Sequence, residues 1–304
     1  IMELQEKGLS RKEIAVEFGY TRVDTLDRLM KKYGYRWYHY VIILFLTVFC
    51  AAMMFPMIWM FLTSFRTNAD IRINKTTMLP ETWTLEGYIK AFTEAPLGRW
   101  FFNSILITTI VTAAVIFTST LIGYVFAKYE FKMKKMLFLL LLATMMVPGQ
   151  VTMIPRFLMI QEMGLFNTQW ALIIPGMVSA FGIYMAKQFI EDIPDSICEA
   201  AKIDGASAFG IYWKIILPNI RPAIGSLGIF TAMMSWNDYL NPLLMLNDKE
   251  KMTLPLALVV FSTEHTQDLT TTMAAATMIM LPMIVIFILF QKQFIRGLAL
   301  SGIK

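Results

Sequence analysis

Charge-free or nearly charge-free apolar runs dominate this chain, and their lengths set its architecture. They cover residues 41–65, 101–127, 136–154, 170–186, 223–246 and 269–290, and only the fifth holds a charge, Asp238. A helix needs about 20 apolar residues to cross the ~30 Å hydrocarbon core of a bilayer. The pattern therefore predicts an all-α membrane protein with six transmembrane helices. Between the fourth and fifth runs the pattern becomes amphipathic. Pro194-Asp195 suits a helix start, because proline presets φ and a carboxylate meets the free N–H groups. An alanine-rich run continues to Ile203, and Gly205 supplies a permissive turn. A second short helix is predicted from Ala206 to Ile216, closed by Leu217-Pro218, since proline disfavours helix in the residue before it.

A polar stretch precedes the first run. Ser10 to Glu13 and Thr21 to Asp24 each read as a capped helix start, and Gly19 and Gly34 stand where helix ends want them. Ile14, Phe18, Val23, Leu26 and Met30 give these helices one apolar face. Residues 1–36 are thus expected to form a small helical appendage, and 37–304 the membrane domain. Ala15-x-x-x-Gly19 resembles the first helix and turn of a helix-turn-helix, which raises DNA binding. Against it, residues 1–36 hold eight Lys and Arg beside six Asp and Glu, a weak excess for gripping phosphates.

Composition agrees with a membrane location: 57% of residues are hydrophobic and 16% charged, where soluble domains carry about 25% charged residues. Orientation follows from Lys and Arg. Nineteen of the 27 lie before the first run, between the second and third, between the fourth and fifth, or after the sixth. Both termini and the loop around Glu199 are therefore expected in the cytoplasm, and the net charge of +5 is a topology signal. Cys50 lies in the first run and Cys198 in the loop, so a disulfide is not expected. His39 and His265 fall on opposite sides of the membrane, so no metal site is expected. Gly205 and Gly210 have the glycine spacing of a phosphate loop but are followed by Ile211, and Gly297 and Gly302 by Ile303. That motif needs Lys after the second glycine.

The loop carries the sharpest signal: Glu199-Ala200-Ala201, Asp204-Gly205, then Ile215-x-Leu217-Pro218 after a fixed interval. This resembles the coupling loop of permease subunits of ATP-binding-cassette importers, lying between helices 4 and 5. Further stretches are similar to the carbohydrate-uptake branch, the second membrane subunit of maltose-transporter-like systems. They are Phe55 to Trp59, Thr63 to Arg66, Trp83 to Leu85, Asn103-Ser104, Met146 to Pro148 with Gln150, Ile193-Pro194, Ser235 to Asp238 with Pro242-Leu243, and Gln291 to Phe294 with Gly297. The resemblance covers 41–304 and leaves 1–36 unassigned.

The resemblance implies a transport subunit rather than an enzyme, in a bacterial or archaeal cell membrane. It implies a second homologous permease, two ATPase subunits that hold the ATP and Mg, and an external solute-binding protein. The implied cargo is a sugar or oligosaccharide. In that setting Glu199, Ala200, Ala201, Asp204, Gly205, Ile215, Leu217 and Pro218 would couple to the ATPases. An ion-coupled secondary transporter would instead want several charges within the membrane, and Asp238 alone does not meet that demand. Asp238 is costly in a bilayer unless it faces water or protein. With Asn103, Trp236, Asn237 and Asn241 it is a candidate for a sugar path. The alternative places Trp236 and Tyr239 in the outer aromatic belt, with Asp238 near the surface.

Overall fold

A computed structural model describes residues 36–74, 77–264 and 268–301, so the appendage expected over 1–36 lies outside them except for Arg36. Every regular element among the described residues is helical. The chain divides into two units, Ile1–Met60 and Phe61–Lys304. The first contains most of α1, Arg36–Thr63, which is apolar on all sides, as a membrane span requires.

In the second unit, α2 (Asn68–Ile73) and α3 (Glu86–Glu94) precede the long α4 (Leu97–Lys128). The chain continues through α5 (Lys134–Met145), α6 (Met153–Glu162), α7 (Trp170–Gly176) and α8 (Ala180–Glu191). The loop helices are α9 (Asp195–Ile203), α10 (Ala208–Ile211) and α11 (Leu217–Asn219), with a π-helical turn at Tyr212–Ile216. Then come α12 (Arg221–Trp236), α13 (Leu240–Met245), α14 (Ala257–Glu264) and α15 (Leu269–Ser301).

α4 is the axis of the unit, packing chiefly against α8 and α12, while α12 in turn packs against α15. Small residues allow the closest of these approaches. A Cβ at Gly123 would stand 2.8 Å from Cβ of Ala186 and 2.9 Å from the Lys187 nitrogen, so only glycine fits there. Ile107, Val111, Val115, Ile173 and Leu227 fill the middle of the core. Trp100, Trp236, Leu254 and Phe261 fill one end, and Tyr124, Ile190, Ile211 and Tyr212 the other.

Four of the six predicted spans lie on stretches long and apolar enough to cross a bilayer: Tyr40–Thr63, Leu97–Lys128, Trp170–Glu191 and Leu269–Ile288. The other two runs are broken. The third ends as helix at Met145, because Pro148-Gly149 disfavours continuation. The fifth ends at Trp236, where Asn237 to Tyr239 interrupt it before α13. A fifth spanning stretch exists if Ala208–Asn219 and Arg221–Trp236, bent by 81°, count as one.

Leu217-Pro218 does not close its helix either. The π turn widens the backbone before Pro218 and relieves its ring's clash with the preceding turn. Helix therefore runs to Asn219, whose Nδ2 donates back to the Ile215 carbonyl at 2.7 Å, and the break falls at Ile220.

On the other side of the unit, Arg66 and Asp70 form a buried knot. Arg66 Nε donates to Asp70 Oδ2 at 2.8 Å and Nη2 to Oδ1 at 2.9 Å. Further Arg66 bonds reach the carbonyls of Asn74 and Thr77. The Arg66 and Asn74 bonds hold the Asp70 carboxyl well below the usual carboxylate range. Asp268 ties this region to α15, accepting from Asn68 Nδ2 at 2.8 Å and from the Thr271 amide at 3.0 Å, with Lys90 Nζ at 3.3 Å.

Candidate coupling loop and translocation cavity

The loop begins where Pro194, with φ −57° and ψ 135°, turns the chain into α9. Lys128, the last residue of α4, reaches Asp195 Oδ1 at 2.7 Å and also donates to the Ile193 carbonyl. This contact lowers the Asp195 pKa. Cys198 turns inward, while Glu199 and Ala200 face out. At the end of α9, Gly205 N donates to Lys202 O at 3.0 Å and Ala206 N to Ala201 O at 2.9 Å. That is a Schellman motif, and Gly205 adopts the left-handed φ of +83° it requires. Ser207 then caps α10, its Oγ accepting from Gly210 N at 3.1 Å, so helix begins at Ala208 rather than at Ala206.

Aromatic and hydroxyl groups fasten the loop to α4. Tyr212 is buried, its Oη 2.8 Å from Thr120 Oγ1, and its ring lies 5.8 Å from that of Tyr124. Thr120, Tyr124 and Lys128 follow at i, i+4 and i+8 on one face of α4. Ile215 and Leu217 pack partly against the same cluster, whereas Pro218 is exposed. On the outer surface stand Phe209 and Trp213, stacked at 6.1 Å, and Ile203 at the α9 tip, 86% exposed. Large apolar side chains so exposed mark a surface for a partner or for a membrane. Sequence reasoning missed Thr120, Tyr124, Phe209, Tyr212 and Trp213; aromatic spacing at 209, 212 and 213 was the available signal.

A cavity of about 820 Å³ opens among α4, α6, α7 and the break between α12 and α13. Its apolar wall includes Ile107, Val111, Val115, Leu172 and Met153, and Phe230 and Tyr239 present aromatic rings. Three of the five residues predicted for a sugar path line it: Asn237, Asp238 and Asn241. Asp238 is not within a helix. It follows the end of α12 and caps the next turn, Oδ1 accepting from Asn241 N at 3.3 Å and Oδ2 from Asn241 Nδ2 at 2.9 Å. Asn241 Oδ1 accepts in turn from Arg156 Nη1 on α6, at 3.4 Å.

The other two predicted path residues point elsewhere. Trp236 is buried, its Nε1 donating to the Ile279 carbonyl at 3.0 Å and its ring edge-on to Phe101. It is a core anchor that lies off this cavity and is not part of a surface belt. Asn103 spends its amide on structure: Nδ2 donates to the Glu250 and Met252 carbonyls, both at 2.9 Å, and Oδ1 accepts from Gln169 at 2.7 Å. Arg156 and Thr253, which sequence reasoning left out, do line the cavity. Thr253 is 5% exposed and its Oγ1 has no hydrogen-bond partner. Among the described residues no group of His, Cys, Asp and Glu is arranged to hold a metal ion.

Comparison with known proteins supplies a family. Residues 119–300 match the family described as binding-protein-dependent transport system inner membrane component. An arabinooligosaccharides transport system permease protein of Halalkalibacterium halodurans is 34% identical over 253 residues, covering 82% of this chain and 91% of that protein. A polygalacturonan/rhamnogalacturonan transport system permease protein of Bacillus subtilis is 31% identical over 275 residues, covering 86% and 96%. In fold, the chain is similar to a chain from the crystal structure of a bacterial transporter that imports the acidic polysaccharide alginate. The TM-score is 0.77 at 23% identity, over 85% of this chain and 97% of that one.

Proposed function

The chain belongs to the family of binding-protein-dependent transport system inner membrane components, and from that premise we propose that it forms half of the membrane path of an ATP-driven sugar or oligosaccharide importer. It is a transport component rather than an enzyme. A second, homologous permease completes the path. Two ATPase subunits supply ATP and Mg, and an external solute-binding protein delivers the cargo. The setting is a bacterial cell membrane with both termini in the cytoplasm, in keeping with the asymmetry of Lys and Arg. The sugar class is drawn from relatives named for arabinooligosaccharides and for polygalacturonan and rhamnogalacturonan.

The observation that carries this reading is the continuity between loop and cavity. The loop presents Glu199, Ala200, Ile203, Phe209 and Trp213 outward, grips α4 from beneath, and runs through the 81° bend into α12. α12 and the break after it supply Phe230, Asn237 and Asp238 to the cavity. Closure of the ATPases moves the loop, and the loop moves a wall of the path. Glu199 gives direction to the docking contact by meeting a basic group on the ATPase, and Ala200 lets that surface come close.

The test is to co-purify the chain with a candidate partner permease, ATPases and binding protein and to measure sugar-stimulated ATP hydrolysis. Glu199→Ala is expected to weaken ATPase association or to uncouple hydrolysis from uptake, with membrane insertion intact. Gly205→Val is expected to misplace both loop helices, since left-handed backbone costs a residue with a Cβ about 1–2 kcal/mol. Full coupled transport by both variants, or no response to any sugar by the parent, would overturn the proposal.

A further inference from the structure

We infer that the cavity accepts uncharged polyhydroxyl chains and rejects those bearing uronate carboxylates, with Arg156 and Asp238 as the residues that set this choice. The inference rests on the reading of the cavity as a sugar path, and it names the class of sugar.

Among the lining residues this chain contributes, Arg156 is the one cation and Asp238 the one carboxylate, so its share of the wall is neutral. Asn241 stands between them, accepting from Arg156 at 3.4 Å and donating to Asp238 at 2.9 Å. Much bonding capacity is therefore left. A guanidinium has five N–H donors, and Arg156 places one long bond on Asn241. An ionised carboxylate has about four acceptor sites, and Asp238 takes two bonds from Asn241. Thr253 adds a buried hydroxyl without a partner. Phe230 and Tyr239 add ring faces for the C–H side of a pyranose or furanose.

A sugar hydroxyl both donates and accepts, so adjacent hydroxyls serve Arg156 and Asp238 at once and leave the charge balance untouched. A uronate brings a second carboxylate to a wall where this chain supplies one cation for both. Like charges so placed repel, and the desolvation of the newcomer is not offset. Discrimination of about tenfold is expected, the size of one lost hydrogen bond to a charged group.

The experiment uses the assembled permease pair with its ATPases in nanodiscs, without the binding protein, so that selectivity read is that of the membrane path. Binding is followed by saturation-transfer NMR with arabinotriose, maltotriose and cellotriose as neutral probes and trigalacturonate as the charged one. The parent should bind at least one neutral probe about tenfold more tightly than trigalacturonate. Asp238→Asn keeps the shape and makes the wall positive, and it should raise trigalacturonate binding about tenfold. This gain cannot come from misfolding. Arg156→Gln should weaken the neutral probes and abolish any uronate binding. Equal or preferred binding of trigalacturonate by the parent, or no gain in Asp238→Asn, would overturn the inference while leaving the sugar path in place. Binding of no probe at all would overturn the sugar path itself and the inference with it.

Discussion

Two clusters in this protein are built from the same side chains, an arginine, an aspartate and an asparagine, and differ in how completely their hydrogen bonds are used. In the knot of Arg66, Asp70 and Asn74, the guanidinium is 1% exposed and every one of its nitrogens donates. Asn74 Nδ2 also reaches Asp70 Oδ1 at 3.0 Å. In the cavity, Arg156 reaches Asn241 through one bond of 3.4 Å, and the group is half-buried. A saturated cluster has nothing to offer a ligand and holds the chain in place. An unsaturated one adds little to folding and keeps its donors for something that arrives later.

The largest effect should come from cutting the saturated cluster. Arg66→Ala leaves Asp70 charged and buried without its partner, a loss of about 3–5 kcal/mol. It should appear as a lower thermal midpoint by tryptophan fluorescence in nanodiscs. Next, Asn74→Ala removes one neutral donor from Asp70 and should cost about 1 kcal/mol in the same assay. Arg156→Ala should change stability by less than about 0.5 kcal/mol, while sugar-stimulated ATP hydrolysis falls. If Arg66→Ala and Arg156→Ala proved equally destabilising, the contrast would collapse.

Above about pH 4 the smallest effect is one of pH. Asp70 is held well below its ordinary value by Arg66 and Asn74. Burial pushes Asp268 up, but bonds from Asn68 and Thr271 outweigh it and bring it down to about 2. A carboxylate lowered on folding contributes stability that is complete above its unfolded pKa of about 4 and is lost as pH falls toward the folded value. The thermal contribution of these two groups should thus be unchanged from pH 7 to 5 and decline below about pH 4. An acid loss already at pH 6 would show that another group governs it.

What could be read in the sequence depended on how far apart the partners lie along the chain. The loop was legible because its determinants are contiguous: Pro194 starts a helix, Asp204-Gly205 ends it, and the left-handed φ at Gly205 follows from local chemistry. Helix boundaries failed where two local signals competed, as at Pro218, which a π turn carries inside the helix. The apolar count overran Pro148-Gly149, so the third span was drawn too long. The cavity was half legible. The sequence Asn237-Asp238 showed polar groups in an apolar setting, but Arg156 lies 85 positions from Asn241 and nothing in the linear pattern joins them. Trp236 and Asn103 misled for the same reason, because the carbonyls that claim them come from Ile279 and from residues 250 and 252.

Thr120, Tyr124 and Lys128 hold the loop at three points in a row along one face of α4: through the Tyr212 hydroxyl, the Tyr212 ring and Asp195. They span about 12 Å at 1.5 Å per residue. Pins set along a straight line make a hinge, as on a door. Such a fixture resists sliding along the line and tipping away from it, and it leaves swing about the line as the soft coordinate. Torque about that line, applied at the far edge where Ile203 and Trp213 stand, would therefore be spent in swing of the loop, whereas a push along the line would reach α4 as a stroke along its axis.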